Sequence, residues 1–333
     1  GGVILKTKII AILLAFVAIL GTIFGVKIFK EYKYKKEVEK LYDIAKGVSD
    51  KNSYSTNIDN INIKYVNNNT FQGFHLIPKN KLFKGVIVCY GGSEGSPNFN
   101  EALRLAKEGY ETLSVFMFGA KNQQKTLVKI PLEQFEDVLD YIHSNINENT
   151  PITVLGASKG AEYALNLATK YKEIDNLVLI APSSYNFSGL DFVNYGSSWT
   201  WKGKELPFID LKRGDFSYSE PISYKATYET AVERDSSAKE KLIPVKKTKA
   251  NILLISGKDD QMWNSFEMSN IIKSQKDDVK ICSYENAGHI FFGDGEQKFS
   301  GYIIKTGGTK SGNKEANKKS IKEINDFLKM HHK

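Results

Sequence analysis

The sequence predicts an α/β fold, built on a mostly parallel sheet with helices on both of its faces. Short apolar runs alternate along the chain with segments whose apolar residues recur at helical spacing. The runs are continuously apolar, as expected of parallel strands that are buried on both sides. The alternation stops once, between about residues 183 and 249. A long insertion there could form a lid-like cap over an active site, or an irregular packed subdomain without contact to a ligand.

Six runs are predicted as sheet strands and four segments as helices. The strands are GVIVCY (85–90), ETLSVFMF (111–118), ITVLGAS (152–158), NLVLIAP (176–182), NILLISG (251–257) and VKICSYE (279–285). The helices cover residues 98–108, 132–145, 161–171 and about 315–331. Upstream, INIKYV (61–66) is predicted as a short edge strand in a loop rich in Asn and Ser.

An apolar segment precedes this pattern. Ile9–Val26 is a run of 18 residues without a charge, just long enough to cross a bilayer as a helix. A secretory signal peptide is the alternative, but the run exceeds the usual apolar region of such peptides, and no Ala-x-Ala site follows. The excess of lysines downstream favours a cytoplasmic location for the rest of the chain.

The predicted organisation therefore has three parts. A single-pass membrane anchor covers residues 1–30, and a helical connector and loop cover residues 31–70. The α/β domain covers residues 71–332 and contains the cap insertion of about 183–249. We expect the anchor to attach the protein to a membrane, with the α/β domain on the cytoplasmic side.

Charge and composition narrow the possible partners. The 333 residues carry a formal net charge of +8, which suits nucleic acid, an anionic membrane surface or an acidic ligand. The lysines are spread along the chain, and helix-turn-helix, zinc-finger and RNP patterns are absent, so we expect no nucleic-acid partner. Cys89 and Cys282 show no metal-ligand spacing. We expect neither a metal nor a cofactor.

The segment Gly156-Ala157-Ser158-Lys159-Gly160 matches the pattern G-x-S-x-G. It lies between a predicted strand and a predicted helix, the context of the nucleophile elbow in the α/β-hydrolase fold. There the turn exposes a nucleophilic serine, here Ser158, and the backbone N–H of Lys159 would point towards a developing oxyanion. The alternative is an ordinary loop, since Gly and Ser are common in loops, but the strand and helix on either side favour catalysis.

A serine nucleophile needs a base and an acid. Of the five histidines, only His289 lies in the loop after the last predicted strand, where the chain order Ser, Asp, His of this fold puts the base. Asp259 and Asp260 both follow the strand NILLISG, so either carboxylate could orient the imidazole. We prefer Asp260, because the acid in this turn usually stands three residues after the glycine.

The loop after GVIVCY should supply a second oxyanion donor. It reads GGSEGS (91–96), and its glycines allow the backbone to approach a substrate closely. Gly92 or Ser93 is the predicted donor. A phosphate-binding loop is the alternative, but the Walker lysine and its spacing are missing.

Several stretches together resemble one family, the acyl-CoA thioesterases and bile acid-CoA:amino acid N-acyltransferases, in their C-terminal α/β-hydrolase domain. The matching pieces are GGSEGS (91–96), LAKEGYETLSVFMFG (105–119), IPLEQFEDVLDYI (130–142), GASKGAEYAL (156–165), APSS (181–184), SSWTWKGKELPF (197–208), GKDDQMWNS (257–265) and NAGH (286–289). The resemblance runs from about residue 70 to 330. The SKGAE and DDQMWNS pieces are more specific than G-x-S-x-G alone.

The resemblance implies an enzyme that cleaves a thioester or ester through an acyl-enzyme, with an acyl-CoA or acyl ester as substrate. The amino-acid-conjugating branch tends to use a cysteine nucleophile, whereas position 158 is serine, so hydrolysis is expected rather than transfer. Two alternatives stay open. One is a carboxylesterase or dienelactone-hydrolase-like enzyme, and the other is a non-catalytic, lipid-binding relative with an idle triad.

Overall fold

The computed structural model describes residues 48–191, 194–212, 219–299 and 302–333. Its strands, numbered along the chain, are β1 Asn57–Ile58, β2 Ile61–Asn68, β3 Phe71–Pro78, β4 Val86–Tyr90, β5 Thr112–Val115, β6 Ile130–Pro131, β7 Ile152–Ala157, β8 Ile174–Ile180, β9 Trp199–Trp201, β10 Lys204–Glu205, β11 Asn251–Gly257, β12 Lys280–Tyr284, β13 Glu296–Phe299 and β14 Tyr302–Lys305. The helices are α1 Phe99–Lys107, α2 Gln134–Asn145, α3 Lys159–Ala168, α4 Lys225–Arg234, α5 Ser265–Gln275 and α6 Lys310–His331.

The apolar runs form the centre of a sheet with nine strands in the described part of the chain, ordered β1-β2-β3-β5-β4-β7-β8-β11-β12. Every neighbouring pair from β5 to β12 is parallel, and β1, β2 and β3 add an antiparallel edge. All six predicted strands belong to the parallel part. The prediction of a mostly parallel sheet is therefore confirmed.

Two apolar cores cover the two faces of this sheet. Within β4, Val86 and Val88 point into one core while Ile87 and Cys89 point into the other, as alternation along a strand requires. Helices α2, α3 and α5 contribute buried side chains to the first core, and α1 and α6 contribute to the second. Because both faces are covered, continuously apolar strands are stable here.

Helix α5 has no counterpart among the predicted helices. Its buried positions are Ser265, Met268, Ser269 and Ile272, so half of its inward face is serine and the apolar periodicity is weak. Helix α6 begins five residues before its predicted start, where the Thr309 side chain caps it by accepting from the N–H of Gly312.

The predicted membrane-spanning helix needs a correction. Ile9–Val26 lies outside the described residues, as do positions 31–47 of the predicted connector and loop. Within the residues that the structure describes, no helix is long and apolar enough to cross a membrane. The longest of them, α6, has 22 residues but is rich in lysine and buries only one side, whereas a spanning helix needs about 20 predominantly apolar residues. The predictions of a single-pass anchor, a membrane partner and a cytoplasmic side are withdrawn.

The insertion of about 183–249 contains β9, β10 and α4 among its described residues. Strand β9 pairs with β10 and with β6, which lies just before α2, so the insertion is attached to the main domain through a small second sheet. Trp199 and Phe187 of the insertion are fully buried in the first core. Much of the insertion is therefore part of the packed domain.

The packing of α6 on the sheet can be tested with one buried and one exposed residue. Leu328 is fully buried in the second core, whereas Met330, two positions along, is 69% exposed. We expect Leu328→Ala to lower the free energy of unfolding by about 2–5 kcal/mol, because it leaves a cavity. Met330→Ala should change it by less than about 0.5 kcal/mol. Urea unfolding measures both, and equal losses would contradict the described packing.

Candidate active site

The turn at Ser158 joins the end of β7 to the start of α3. Its backbone has φ 55° and ψ −120°, a strained conformation for a residue with a side chain. The N–H of Ser158 donates to the carbonyl oxygen of Ile180 at 2.8 Å, which ties the turn to the neighbouring strand β8. The serine is half-buried, at the carboxyl ends of the parallel strands.

The two glycines of G-x-S-x-G are required by close backbone contacts. A Cβ atom on Gly156 would lie 2.1 Å from the carbonyl oxygen of Gly160. A Cβ atom on Gly160 would lie 2.0 Å from the carbonyl oxygen of Gly91, in the loop after β4. Helix α3 can therefore approach both neighbouring segments only because these positions lack side chains.

Ser158, His289 and Asp260 lie in one hydrogen-bonded chain. The Oγ atom of Ser158 is 2.8 Å from Nε2 of His289, and Nδ1 of His289 is 2.8 Å from Oδ2 of Asp260. A carboxylate only accepts, so Nδ1 carries the proton, and Nε2 is free to accept the serine hydroxyl. The structure thus brings together the three residues that the sequence proposed as a triad, although their part in catalysis remains a prediction.

Of the two neighbouring aspartates, Asp260 is the one that contacts His289. The buried Asp260 carboxylate also accepts from the backbone N–H of Met262 at 2.9 Å and from the hydroxyl of Ser265 at 2.6 Å. Asp259 instead accepts from the backbone N–H of Gly308 at 2.8 Å. The geometry therefore agrees with the preference for Asp260 and gives Asp259 a separate contact.

The loop that carries His289 is held by helix α6. The backbone N–H of Gly288 donates to Oδ1 of Asn313 at 2.8 Å, and Nδ2 of Asn313 donates to the carbonyl oxygen of Gly307 at 3.1 Å. His289 itself donates its backbone N–H to Thr306 at 2.9 Å. Asn313 is buried, so these bonds are shielded from water. Sequence reasoning did not identify Asn313, because a single asparagine in a lysine-rich helix has no distinctive pattern.

The predicted oxyanion donors lie beside Ser158. The N–H of Lys159 is the first of α3 and has no acceptor within the helix. A Cβ on Gly92 would lie 3.4 Å from Cβ of Ser158, so the Gly92 backbone lies against the serine. However, the Gly92 N–H donates to Oε1 of Glu94 at 3.0 Å. Gly92 can donate to an oxyanion only if Glu94 releases it, and the choice between Gly92 and Ser93 stays open.

Ser158 and His289 open into a cavity of about 530 Å³. Its apolar lining comes from five parts of the chain: Ile180, Tyr228, Met262, Trp263, Ile290, Phe291, Phe292, Ile321 and Ile324. Its carboxylates are Glu94 and Glu101, and the latter forms an ion pair with Arg104 at 2.6 Å. A mainly apolar cavity of this size with a few polar groups is typical of a small-molecule site. Tyr228 is the residue through which the described insertion reaches the cavity.

The remaining histidines have other contacts. Nε2 of His75 is 2.7 Å from Glu111, and Nε2 of His332 is 2.6 Å from the hydroxyl of Thr153. His143 is exposed on α2. None of them lies at the cavity, which agrees with the choice of His289 as the candidate base.

Residues 130–333 match the family described as BAAT / acyl-CoA thioester hydrolase C terminal. The chain belongs to this family. The resemblance found in the sequence is thereby confirmed for more than half of the chain.

Individual relatives agree with this assignment. The chain is 26% identical over 273 residues to the bile acid-CoA:amino acid N-acyltransferase of Mus musculus, covering 77% of this chain and 62% of that protein. It is 27% identical over 196 residues to acyl-coenzyme A thioesterase 1 of Homo sapiens, covering 57% of this chain and 43% of that protein. The chain thus spans less than two thirds of the length of either relative.

A solved structure supports the fold. Carboxyl esterase 2 of the fungus Tuber melanosporum superposes with a TM-score of 0.51 at 13% identity, covering 83% of this chain and 89% of that one. At such low identity the likeness concerns the fold alone. Together with the sheet order and the strained serine turn, it gives this member of the family an α/β-hydrolase-like fold.

A buried ion pair lies beneath the Ser158 turn in this family member. The side chain of Lys159 turns into the protein, where Nζ is 2.7 Å from Oε2 of Glu162 and 3.0 Å from the hydroxyl of Ser198. The other carboxylate oxygen of Glu162 accepts from Nε1 of Trp199 at 2.8 Å and from the N–H of Phe187 at 3.1 Å. Burial lowers the pKa of Lys159 and raises the pKa of Glu162, and the attraction between the two opposes both shifts.

This pair joins the serine turn to the insertion. Three aromatic rings surround Nζ of Lys159 at 5.8–6.0 Å, those of Phe187, Trp199 and Trp263. Trp263 also packs edge-on against His289, with ring centres 5.8 Å apart. The Lys159 ammonium therefore contacts aromatic rings of the insertion and also Trp263, which packs against His289. The sequence showed Lys159 only as a source of a backbone N–H, because the partners of its side chain lie outside the motif.

The two aspartates provide a matched test of the acid. Asp260→Asn should slow labelling of Ser158 by a fluorophosphonate, and any turnover, by up to about 10⁴-fold, because an amide no longer holds His289 in the required tautomer. Asp259→Asn should slow both by less than about tenfold, since Asp259 does not contact the histidine. Equal effects, or a larger effect at Asp259, would reject Asp260 as the acid.

The buried pair predicts a pattern of stability changes. Lys159→Met leaves the Glu162 carboxylate buried without its cation and should lower the free energy of unfolding by about 3–5 kcal/mol. Adding Glu162→Gln removes that charge and keeps an oxygen that can accept from Trp199. The double variant should therefore recover a large part of the loss in urea unfolding. If the double variant is no more stable than the single one, the pair is not the cause.

Proposed function

We propose that this protein is a hydrolase that cleaves an acyl-CoA thioester through an acyl-enzyme on Ser158. The observation that carries the proposal is the hydrogen-bonded chain from Ser158 through His289 to Asp260, at the wall of a largely apolar cavity. An idle relative would have no need to keep the serine in a strained turn within 2.8 Å of a histidine nitrogen. Membership of the family supports the thioester as the reacting bond.

The first half of the proposed reaction forms the acyl-enzyme. Oγ of Ser158 attacks the thioester carbonyl carbon while Nε2 of His289 takes the hydroxyl proton. The tetrahedral intermediate then breaks its carbon–sulfur bond, and His289 returns the proton to the departing sulfur. The thiol leaves, and the acyl group remains on Ser158 as an ester.

The second half regenerates the serine. Water attacks the acyl ester carbon, His289 takes a proton from that water, and the carbon–oxygen bond to Ser158 breaks. His289 then returns the proton to Oγ, and a carboxylic acid leaves. In both halves the buried Asp260 carboxylate stabilises the imidazolium and holds its orientation.

The oxyanion of each tetrahedral intermediate needs donors. We propose the backbone N–H of Lys159 as one, because it begins α3 directly after the nucleophile. Gly92 or Ser93 supplies the other. Each such donor is worth about 3 kcal/mol in transition-state stabilisation. A second donor from Gly92 requires the Glu94 carboxylate to move away from it.

Hydrolysis is favoured over acyl transfer by the identity of the nucleophile. One relative is a bile acid-CoA:amino acid N-acyltransferase and another is an acyl-coenzyme A thioesterase, so the family includes both outcomes. Serine stands at position 158 here, and water readily attacks the acyl carbon of the oxygen ester that this serine would form. The apolar cavity lining suits a hydrocarbon acyl chain.

The nucleophile is tested by Ser158→Ala. This variant should lose labelling by a fluorophosphonate and should lower kcat by several orders of magnitude, while its unfolding midpoint stays close to that of the wild type. Ser320→Ala is a matched control, because Ser320 lines the same cavity but donates to the carbonyl oxygen of Asn317. It should keep labelling and turnover. Labelling that persists in Ser158→Ala would place the nucleophile elsewhere.

The same proteins then test the substrate class. Wild-type protein should hydrolyse a panel of acyl-CoA thioesters with a higher kcat/KM than nitrophenyl esters of the same acyl groups. A preference for the nitrophenyl esters would favour the carboxylesterase alternative. If the fluorophosphonate labels Ser158 but the protein hydrolyses neither acyl-CoA thioesters nor nitrophenyl esters, the serine is reactive and the proposed reaction is wrong. Glycine and taurine in the assay should not be acylated.

A further inference from the structure

Helix α6 forms one wall of the cavity that holds the triad. Asn317, Ser320, Ile321 and Ile324 line it, and these positions share one side of the helix. Asn313, one turn before Asn317, donates to the carbonyl oxygen of Phe292, so this wall continues into the loop 290–293. That loop exposes Ile290 and Phe292 at the edge of the cavity.

Lysines stand at intervals of four residues along α6, at Lys310, Lys314, Lys318 and Lys322, and the first three precede or accompany the first positions that line the cavity. Positions four apart differ by only about 40° around a helix, so the three form a row. Lys314 stands three positions before Asn317, and Lys318 three before Ile321, which makes them surface neighbours of the cavity lining. All three are exposed. We call them the lysine row.

The lysine row lacks acidic partners, whereas the next two lysines along the helix have them. Within the described residues, none of the three forms an ion pair. Lys319 pairs with Glu315 at 2.6 Å, and Lys322 pairs with Asp326 at 2.6 Å. The first three cations of α6 in this series are therefore uncompensated, and the two lysines that follow them are compensated.

This arrangement is unfavourable for the helix itself. Like charges four residues apart repel each other, and cations near the start of a helix oppose its dipole. No acidic residue occupies the first turn of α6. The row therefore lowers the intrinsic stability of α6, and an anionic ligand would relieve the repulsion.

Two carboxylates also line the cavity. Glu101 is neutralised by Arg104, while Glu94 has no ion pair among the described residues. An elongated substrate with one anionic end is therefore directed with that end along α6 and away from Glu94.

We propose that Lys310, Lys314 and Lys318 bind the phosphate groups of the thiol that leaves the thioester substrate. This inference rests on the proposed function. Coenzyme A is such a thiol, since it carries a diphosphate and a further phosphate far from the sulfur. The sulfur would lie at Ser158, the arm of the coenzyme would follow the apolar wall at Ile321, and the phosphates would reach the row. The row thus selects a coenzyme A thioester over an ester without phosphates.

The test compares two thioesters of one acyl group, octanoyl-CoA and octanoyl-N-acetylcysteamine; the second keeps only the thiol end of the coenzyme and carries no phosphate. The triple variant K310Q/K314Q/K318Q should raise KM for octanoyl-CoA roughly tenfold, since three exposed ion pairs are lost, with kcat little changed. Its kinetics with the N-acetylcysteamine thioester should match the wild type. The increase in KM should shrink in high salt, because exposed ion pairs are screened.

A matched control removes the same charge from the same helix and the residues just after it. The variant K319Q/K329Q/K333Q changes three exposed lysines outside the row and should leave KM for octanoyl-CoA within about twofold of the wild type. An equal rise in KM in both variants would show a general effect of net charge and overturn the proposal. An unchanged KM in the row variant would overturn it too.

Direct binding separates this inference from the proposed function. Calorimetry with coenzyme A needs no turnover, so it reports on the row even if the wild type hydrolyses no thioester. Weaker binding by the row variant than by the control supports the row, and equal binding overturns it. Vesicles containing phosphatidylglycerol are a further arm. If the row variant loses vesicle binding while coenzyme A binding is unchanged, the row serves a lipid surface and the proposal fails.

Discussion

The buried ion pair between Lys159 and Glu162 is the interaction on which the candidate site most depends. Lys159 begins the helix that follows the nucleophile, and Glu162 binds the backbone of Phe187 and the indole of Trp199 in the insertion. Two buried charges are stable only when they contact each other and when hydrogen bonds satisfy their remaining donors and acceptors. The serine turn and the insertion must therefore adopt their positions together, which makes the insertion part of the site's support.

The histidine side of the site depends on the C-terminal helix. Asn313 of α6 binds the backbone of the His289 loop at Gly288 and Phe292, and residues one and two turns further along line the cavity. One helix therefore orients the candidate base, shapes the substrate cavity and presents the lysine row. Because these features share a rigid element, a shift of α6 would alter base geometry and substrate binding together.

Glu94 adds a constraint on the oxyanion hole. Its carboxylate accepts from the backbone N–H of Gly92 and from the hydroxyl of Ser96 at 2.5 Å. A fixed negative charge here would oppose a developing oxyanion. In addition, the substrate oxygen must compete with the Glu94 carboxylate for the Gly92 N–H. The charge also disfavours an anionic group at this end of the cavity, which agrees with anionic recognition along α6.

The sequence by itself determined the parallel sheet, the serine turn, and Ser158 and His289 of the hydrogen-bonded chain, and it reduced the acid to Asp259 or Asp260. These follow from local patterns, since apolar runs, flanking glycines and chain order are all readable in one dimension. The prediction of a membrane-spanning helix was wrong. It rested on hydropathy alone, and no helix among the described residues is long and apolar enough to cross a membrane. Only the tertiary structure decided that Asp260 rather than Asp259 contacts His289, that Glu94 occupies the Gly92 N–H, and that Lys159 is buried against Glu162. Each of these is a contact between side chains or loops whose geometry depends on how separate elements pack, and no spacing along the chain encodes it.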